Sequence, residues 1–438
     1  MCSFTVTNKN IDLNRGNIFS SKRGPDHTRI ESINNIQFLH NLLHITGDRI
    51  TQPFIDNDVV CVFNGEIYNY KEFGNYKSDG ECIIDLYKNY GLEFAKKLDG
   101  EFAICIVDFK KSHLILVNDT FATKPLWIGT DGSNWGVASY KSSLQGCGFF
   151  ETHKMIGNYI WCLDLNSLSE ISKTRLVNFD LKQYKTSYDG WINAFENSII
   201  KRTKNTPYKI FLGLSAGYDS GAISLALNKQ NISYKAYTIL SGEDKNIINQ
   251  RHDLISNSDI IKLTQKEYNN MSNIISNRCE DFEYKDKYKN YNIKNDKASI
   301  GLGVICSKAT QEGYRIYLSG QGADEIISDY GFNGGKIYDH SSFGGYFPNN
   351  LEGFFPWHSF YDGTQIQYLN KEEYVAGAFG IETRYPFLDT QLVQEFLWLT
   401  SDLKNKKYKS ALDEYLIQNN YPFQQGIKTG FQANKNLV

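Results

Sequence analysis

Short apolar runs alternate with turn residues through about the first 165 positions of the chain. Runs at 102–107 and 114–117 are separated by Gly, Asn and Asp, as strands are separated by turns. The stretch 81–90 instead places its apolar residues at helical spacing. This part of the sequence therefore predicts a layered β domain closed by helices.

The pattern changes after residue 184. Trp191, Phe195 and Ile199 fall on one face of a predicted amphipathic helix. Buried strands are predicted at 208–214, 234–240 and 314–318, with a helix from Ser220 on after the first. Repetition of strand, turn and helix predicts a parallel α/β sheet that binds a ligand at its carboxyl edge. The Gly-, Phe- and Tyr-rich segment 331–362 is predicted as loops.

A chain of 438 residues is longer than one hydrophobic core usually supports, so two domains are expected. Between residues 164 and 184 the sequence turns polar and loses its periodicity, which indicates a linker. The predicted domains are residues 1–170 and 171–438.

The composition argues against a protein that binds nucleic acid, spans a membrane or depends on disulfide bonds. The net charge of -2, with both signs interspersed, gives no electrostatic footprint for nucleic acid or an acidic membrane. The eight cysteines stand singly, without a C-x-x-C pair, and are expected to be reduced core residues. No apolar run reaches spanning length and no signal peptide is expected, so a cytoplasmic protein is predicted.

Cys2 becomes the first residue once the initiator methionine is removed. Its thiol then lies beside a free α-amino group of near-neutral pKa, so one residue supplies both nucleophile and base. For Cys2 alone, an ordinary buried cysteine near a strand start is the better interpretation. The motifs that accompany Cys2 in the chain favour the interpretation as a catalytic nucleophile instead.

Further motifs follow Cys2 in a fixed order. In the first part of the chain they are Arg23-Gly24-Pro25-Asp26, Asn64-Gly65-Glu66-Ile67-Tyr68-Asn69, Ser78-Asp79-Gly80-Glu81, Leu98-Asp99-Gly100-Glu101-Phe102-Ala103 and Lys124-Pro125-Leu126. In the second part they are Ser215-Ala216-Gly217-Tyr218-Asp219-Ser220, Ser319-Gly320-Gln321-Gly322-Ala323-Asp324-Glu325 and a run from Gly380 to Asp389.

The first group resembles the glutaminase domain of class II glutamine amidotransferases. Along nearly the whole chain, the complete set is most similar to that of the glutamine-hydrolysing asparagine synthetases. The resemblance implies an α+β domain of the Ntn-type αββα fold, followed by an α/β parallel-sheet ATP-pyrophosphatase domain. It also implies ATP and Mg²⁺ as cofactors and suggests a homodimer.

The resemblance assigns roles in glutamine hydrolysis. Asn64, through its side chain, and Gly65, through its N–H, would hold the oxyanion that forms when Cys2 attacks. Asp79 would bind the glutamine ammonium group, and Glu66 would position the same end. Taken alone, Asn64-Gly65 is most often a tight turn between strands.

One position departs from the family pattern. The family has an arginine that clamps the glutamine carboxylate where this chain has Leu42, and a leucine cannot form that bidentate contact. Arg23 or Arg49 is expected to take the role, or glutamine binds weakly or differently. We include Arg23 among the predicted glutamine-binding residues.

The second group of motifs resembles the two halves of an ATP-pyrophosphatase site. Backbone N–H groups and hydroxyls at the first loop form a nest for phosphate. The predicted ATP-binding residues are Leu214, Ser215, Gly217, Asp219, Ser220, Ile239, Ser319 and Gly320. The predicted Mg²⁺ ligands are Asp219 and Asp324.

Other residues of the second half have roles implied by the family. Lys428 matches a lysine that steadies charge during adenylation, whereas for Lys409 a surface charge is as good an interpretation as a function. Gln321 stands where the family has glutamate, and a neutral amide cannot act as a base. Glu382, Arg384 and Asp389 are predicted to tie helices around the acceptor pocket.

The leading functional prediction is amidation of a carboxylate with ammonia from glutamine, with aspartate as the default acceptor. Gln321 favours another acceptor, such as a sugar uronate or a specialised metabolite. A lactam- or peptide-forming cyclase is a further alternative, but the intact Cys2, Asn64, Gly65 and Asp79 argue against it. A non-catalytic module would be expected to lose the phosphate loop.

Overall fold

The computed structural model describes residues 2–285, 290–327, 344–427 and 433. The N-terminal part is built from antiparallel strands. They are β1 (Ser3–Thr7), β2 (His27–Ile33), β3 (Ile36–Leu42), β4 (Phe54–Asp56), β5 (Val59–Ile67), β6 (Gly100–Asp108), β7 (His113–Asn118), β8 (Trp127–Thr130), β9 (Trp135–Ala138), β10 (Glu151–Lys154), β11 (Tyr159–Asp164) and β12 (Glu170–Arg175).

These strands form two six-stranded sheets. One has the order β10-β8-β9-β1-β3-β2 and the other the order β12-β11-β7-β6-β5-β4. Their facing sides share a core in which Phe4 and Val6 of β1 lie in one cluster with Val60 and Val62 of β5. The strand that follows Cys2 therefore packs against the strand that carries Asn64 and Gly65.

Helices cover the outer faces of both sheets. The α-helices are α1 (Ser20–Arg23), α2 (Cys82–Tyr90) and α3 (Lys141–Gly146), and the 3₁₀ helices are Leu13–Gly16, Tyr70–Glu72, Asp79–Glu81 and Gly91–Lys97. The apolar face of α2 packs on β5 and β6, and α3 packs on the opposite sheet. This αββα layering is the predicted fold, and the helix expected at 81–90 is confirmed.

The C-terminal part is built around a parallel sheet. Its strands are β13 (Lys209–Gly213), β14 (Tyr234–Ile239), β15 (Ser258–Ile261), β18 (Tyr314–Leu318) and β19 (Glu382–Arg384), in the order β15-β14-β13-β18-β19. A separate hairpin consists of β16 (Glu283–Lys285) and β17 (Asn290–Asn292). The predicted parallel α/β sheet is therefore confirmed.

Helices surround this sheet. They are α4 (Asp189–Thr203), α5 (Tyr218–Lys229), α6 (Lys245–Asp253), α7 (Gln265–Arg278), α8 (Lys297–Gln311), α9 (Ala323–Ile327), α10 (His358–Tyr361), α11 (Thr364–Gly377), α12 (Thr390–Trp398), α13 (Ser401–Asn405) and α14 (Ser410–Gln418), with a 3₁₀ helix at Pro386–Leu388. Trp191, Phe195 and Ile199 are buried on α4 as their spacing predicted. Within the parts of the chain described above, no helix is both long and apolar enough to cross a bilayer.

Two predictions need correction. The boundary at 170/171 falls inside β12, which pairs with β11, so the N-terminal sheet extends to Arg175. The loops predicted at 331–362 include α10, while 331–343 lies outside the described residues. All eight cysteines are buried and free, as expected.

Charged side chains are buried where the two domains meet. Glu101 of β6 accepts a hydrogen bond of 2.7 Å from Nε of Arg202 in α4. Lys124 lies 3.3 Å from Glu101 and 3.1 Å from Glu373 of α11. All four side chains are almost fully buried. Because each charge has a partner from the other domain, the contact orients one domain on the other.

Candidate active sites

Cys2 lies just before β1 and is buried. Its Sγ lies 3.8 Å from the carbonyl oxygen of Leu43. Burial raises the pKa of the thiol to about 11, and the nearby Glu382 and Asp79 carboxylates also raise it. The resting side chain is therefore a protonated thiol that needs a base before it can attack.

Asn64 and Gly65 lie in the middle of β5. The Asn64 side chain is fully buried, and among the described residues neither its Oδ1 nor its Nδ2 has a hydrogen-bond partner. Gly65 has a φ of 144°, and a Cβ there would lie 2.0 Å from the carbonyl oxygen of Glu101. A buried amide without a hydrogen-bond partner destabilises the folded state. The unpartnered amide of Asn64 therefore indicates a donor that is available to a ligand. The turn interpretation of Asn64-Gly65 is wrong, because the dipeptide lies within a strand.

Two buried carboxylates lie close to this strand. Oδ2 of Asp79 accepts a 2.9 Å hydrogen bond from the Ile67 N–H, and Oε2 of Glu66 accepts one of 2.6 Å from Thr46. Burial raises the pKa of Asp79 to about 7 and that of Glu66 well above its usual range. An ammonium ligand would favour the charged form of both groups.

Arg23 is not placed as a carboxylate clamp. Its Nε donates to the carbonyl oxygen of Cys2 at 2.9 Å, Nη1 donates to the carbonyl oxygen of Glu373 at 3.1 Å, and Nη2 pairs with the Glu373 carboxylate. The side chain is fully buried. Arg23 therefore positions the nucleophile's backbone instead of offering its guanidinium to glutamine. Leu42 is buried in β3, and Arg49 is bonded to the carbonyl oxygen of Asp26.

The second domain contributes to this site, which the sequence did not reveal. Arg384 lies 2.6 Å from Glu382 and 3.3 Å from Glu66. Burial would raise the pKa of Glu382, but Arg384 and Lys124 help to hold it below its ordinary value. These side chains of β19 lie at the domain boundary beside the predicted glutaminase residues. Their role around the acceptor pocket stays a prediction.

A second site lies at the carboxyl edge of the parallel sheet, as predicted. A cavity of about 220 Å³ opens there. It is lined by Ser215, Gly217, Tyr218, Asp219, Ser220, Gly320, Gln321, Asp324, Glu325, Glu372, Tyr408, Lys409 and Ile427. Two loops that follow β13 and β18 therefore meet here, because parallel strands end at the same edge.

The loop after β13 is held by its own hydroxyls. Ser215 Oγ lies 2.9 Å from Ser220 Oγ and accepts a 3.1 Å hydrogen bond from the Gly217 N–H. The buried Arg251 donates to the carbonyl oxygens of Ser215 and Gly217 from behind. Sequence reasoning missed Arg251, which has no motif of its own. The N-terminus of α5 is left facing the cavity, where it favours an anion.

Lys409 connects the two predicted metal ligands. Its Nζ lies 2.6 Å from Oδ1 of Asp219 and 2.8 Å from Oδ1 of Asp324. Burial would lower the pKa of Lys409, but these carboxylates hold it well above its ordinary value. Lys409 is 2% exposed, so the surface-charge interpretation is wrong.

The two aspartates fit a magnesium ion. Their Oδ1 atoms converge on one cationic group, and Mg²⁺ is usually held by one or two carboxylates together with substrate phosphates and water. Asp219 and Asp324 would hold the ion at the mouth of the phosphate loop. Among the described residues no group of three or more His, Cys, Asp or Glu forms a closed metal cage.

Three predicted ATP-binding residues do not line the cavity. Leu214 and Ile239 are buried beside it, and Ser319 Oγ donates to Glu372 at 2.5 Å. Their contacts with ATP stay predictions. Lys428 lies outside the described residues, although Ile427 lines the cavity.

The chain is similar to known proteins along most of its length. Residues 1–160 match the glutamine amidotransferase domain family. The chain is 28% identical over 426 residues to the putative asparagine synthetase (glutamine-hydrolyzing) 1 of Methanocaldococcus jannaschii, which covers 87% of this chain and 73% of that protein. The chain is therefore similar to glutamine-hydrolysing asparagine synthetases along most of its length, and its N-terminal part matches the glutamine amidotransferase domain family.

Two other members of the family show the same extent of similarity. Asparagine synthetase (glutamine-hydrolyzing) 1 of Arabidopsis thaliana is 26% identical over 429 residues, which is 90% of this chain and 68% of that protein. The Gallus gallus enzyme is 26% identical over 461 residues, covering 91% and 76%. Against this family pattern, Leu42 and Gln321 remain the departures in the two sites.

Proposed function

We propose that the protein is a glutamine-dependent ligase that adenylates a carboxylate with ATP and amidates it with ammonia released from glutamine. Aspartate, giving asparagine, is the acceptor that the family favours. The observation that carries the proposal is the convergence of Asp219 and Asp324 on the Lys409 ammonium, in the cavity between the loops that follow β13 and β18.

The glutaminase half supplies ammonia in this proposal. After removal of Met1, the α-amino group of Cys2 takes the thiol proton, and Sγ attacks the glutamine amide. Asn64 Nδ2 and the Gly65 N–H stabilise the oxyanion, and Asp79 holds the substrate ammonium. The unpartnered amide of Asn64 supports this assignment.

The synthetase half activates the acceptor. The acceptor carboxylate attacks the α-phosphorus of ATP, which gives an acyl-adenylate and pyrophosphate. Magnesium bound at Asp219 and Asp324 would neutralise the pyrophosphate leaving group. Ser215, Ser220 and the N-terminus of α5 orient the phosphates, and Lys409 adds a fixed positive charge.

The test uses the Met1-processed protein with amide-¹⁵N-glutamine, ATP, Mg²⁺ and aspartate. Labelled asparagine together with AMP and pyrophosphate is the expected result. Release of glutamate without labelled asparagine would reject aspartate as the acceptor. If neither glutamate nor asparagine forms, the glutaminase assignment itself is wrong. Leu42→Arg, which introduces the arginine of the family pattern, is then the first variant to test.

A second acceptor class is favoured by one observation. Gln321 lines the cavity where the family has a glutamate, and its Nε2 is buried without a hydrogen-bond partner. An amide donor there suits an acceptor that presents an oxygen, such as a sugar uronate. Mass spectrometry of the same reaction with glucuronate in place of aspartate separates the two acceptors.

A further inference from the structure

The cavity at the carboxyl edge of the parallel sheet contains a carboxylate that lies outside every motif of the sequence. Glu372 lies on α11, lines the cavity and is partly exposed there. Its Oε2 accepts a 2.5 Å hydrogen bond from Ser319 Oγ, and the same Oγ accepts one of 3.0 Å from the Gln321 N–H. Glu372 is therefore tied to the loop whose family glutamate is absent from this chain.

The neighbouring acidic residues have other partners. Glu373 pairs with Arg23 and Lys124 at the domain boundary. Glu325 accepts a 3.2 Å hydrogen bond from the Gly322 N–H and is 2% exposed. Among the described residues, the ion pairs do not include Glu372, whose hydrogen-bond partner is a neutral hydroxyl.

Charged and titratable groups from several neighbouring elements act on Glu372 or are acted on by it. They are Lys371 and Glu373 on α11, Glu325 on α9, Cys306 on α8, Tyr317 on β18 and Tyr385 after β19. Lys371 is directed to Asp296, 3.5 Å away. Burial raises the pKa of Glu372 to about 7 against the opposing effects of Ser319 and Lys371. A base with a pKa near the working pH can both accept and release a proton.

We propose that Glu372 is the general base of amide formation, taking over the proton transfer that Gln321 cannot perform. The inference rests on the proposed ligase function. The lone pair of the ammonia nitrogen forms the C–N bond at the acyl carbon. The bond from that carbon to the AMP oxygen then breaks, and AMP leaves with the electrons of that bond. Glu372 takes one N–H proton and later passes it to water, so amide, AMP and one proton are the products.

The experiment separates adenylation from amide formation. Aspartate-dependent exchange of labelled pyrophosphate into ATP reports adenylation, and asparagine formed with free ammonia reports the second step. In Glu372→Gln, exchange is expected within about threefold of wild type, while amide formation falls about 10²- to 10⁴-fold. The exposed Glu352→Gln is the matched control and is expected to match wild type in both.

Two further measurements distinguish a base from a structural residue. Hydroxylamine is a weak base that is unprotonated at neutral pH, so hydroxamate formation is expected to survive in Glu372→Gln. Gln321→Glu in the same background is expected to restore part of the ammonia-dependent rate. Equal losses of exchange, hydroxamate and asparagine would overturn the proposal and leave Glu372 a structural residue.

The wild-type pH profile provides a test that does not need a folded variant. The rate of amide formation from the adenylate is expected to fall as pH drops through about 7, where Glu372 becomes protonated. The rate of pyrophosphate exchange is not expected to fall in this pH range. If the rate of amide formation does not fall near pH 7, the assignment of Glu372 as the base is overturned, whereas the ligase function is not. A wild-type protein that shows no carboxylate-dependent exchange at any pH overturns the ligase function, and the base assignment with it.

Discussion

Oε1 of Glu66 lies 3.3 Å from Nη2 of Arg384, although Glu66 belongs to β5 of the N-terminal domain and Arg384 to the edge of the parallel sheet. Both side chains are almost completely buried. A residue of the C-terminal domain therefore lowers the pKa of a carboxyl group in the proposed glutaminase site, against the effect of burial. Since a buried charge without a partner is costly, a change at one residue must affect the other.

Arg384→Gln is expected to reduce glutamine-dependent synthesis more than ammonia-dependent synthesis. Arg384 lowers the pKa of Glu66 against burial and Glu382, so its removal holds Glu66 more firmly in the protonated form and makes ionisation on glutamine binding harder. The ratio of the two rates, measured with glutamine and with ammonium chloride, is the readout. Arg315→Gln, which removes a partly exposed pair with Asp26, serves as the comparison. An equal fall of both rates for Arg384→Gln would contradict the coupling.

Asn64→Ala is expected to lower kcat for glutamine hydrolysis about 10²- to 10³-fold without loss of stability. The amide has no hydrogen-bond partner within the part of the chain that the structure describes, so its removal leaves no buried group there newly unsatisfied. Asn158→Ala is the contrast, because Asn158 donates to Val177 and Tyr361. Thermal unfolding should show a lower Tm for Asn158→Ala alone. A lowered Tm for Asn64→Ala would mean that its amide is structural.

Lys409→Met is expected to destabilise the protein by about 3 kcal/mol when magnesium is absent. Removal of the ammonium leaves Asp219 and Asp324 to repel each other. Added Mg²⁺ should recover part of the loss, because the ion would occupy the position between the carboxylates. Thermal unfolding with EDTA and with magnesium measures both effects. The exposed Lys406→Met is the control, and a magnesium-insensitive Tm for Lys409→Met would reject the metal site.

Glu280 predicts a pH dependence of stability. It is buried against Ser142, and burial raises its pKa to about 7 from an unfolded value near 4.5. The folded state therefore binds the extra proton, and stability falls as pH rises from about 4.5 through 7. From the size of this pKa shift, protonated Glu280 contributes about 3 kcal/mol to the free energy of unfolding at low pH. Glu280→Gln should match wild type at pH 5 and exceed it at pH 8 in urea unfolding; equal stability at pH 8 would contradict this.

Periodicity predicted the elements whose apolar faces are buried, such as α4 and β13, because burial is what produces the pattern. It missed β12, whose alternating residues are largely exposed at the edge of a sheet, so the segment reads as a polar linker. The motifs identified Cys2 and Asp219 but not Glu372. The contact of Glu372 with Ser319 depends on how α11 crosses the sheet, and local sequence does not encode that crossing.

The buried pairs of Glu101 with Arg202 and of Lys124 with Glu373 make the two halves of the chain unsuitable for separate production. A fragment ending at Arg175 would expose Glu101 and Lys124 without their partners from α4 and α11. It would also leave the Arg23 guanidinium without Glu373, beside the carbonyl of the nucleophilic cysteine. Glutaminase activity should accordingly be sought in the intact chain, since truncation would remove the counter-charges that hold the nucleophile in place.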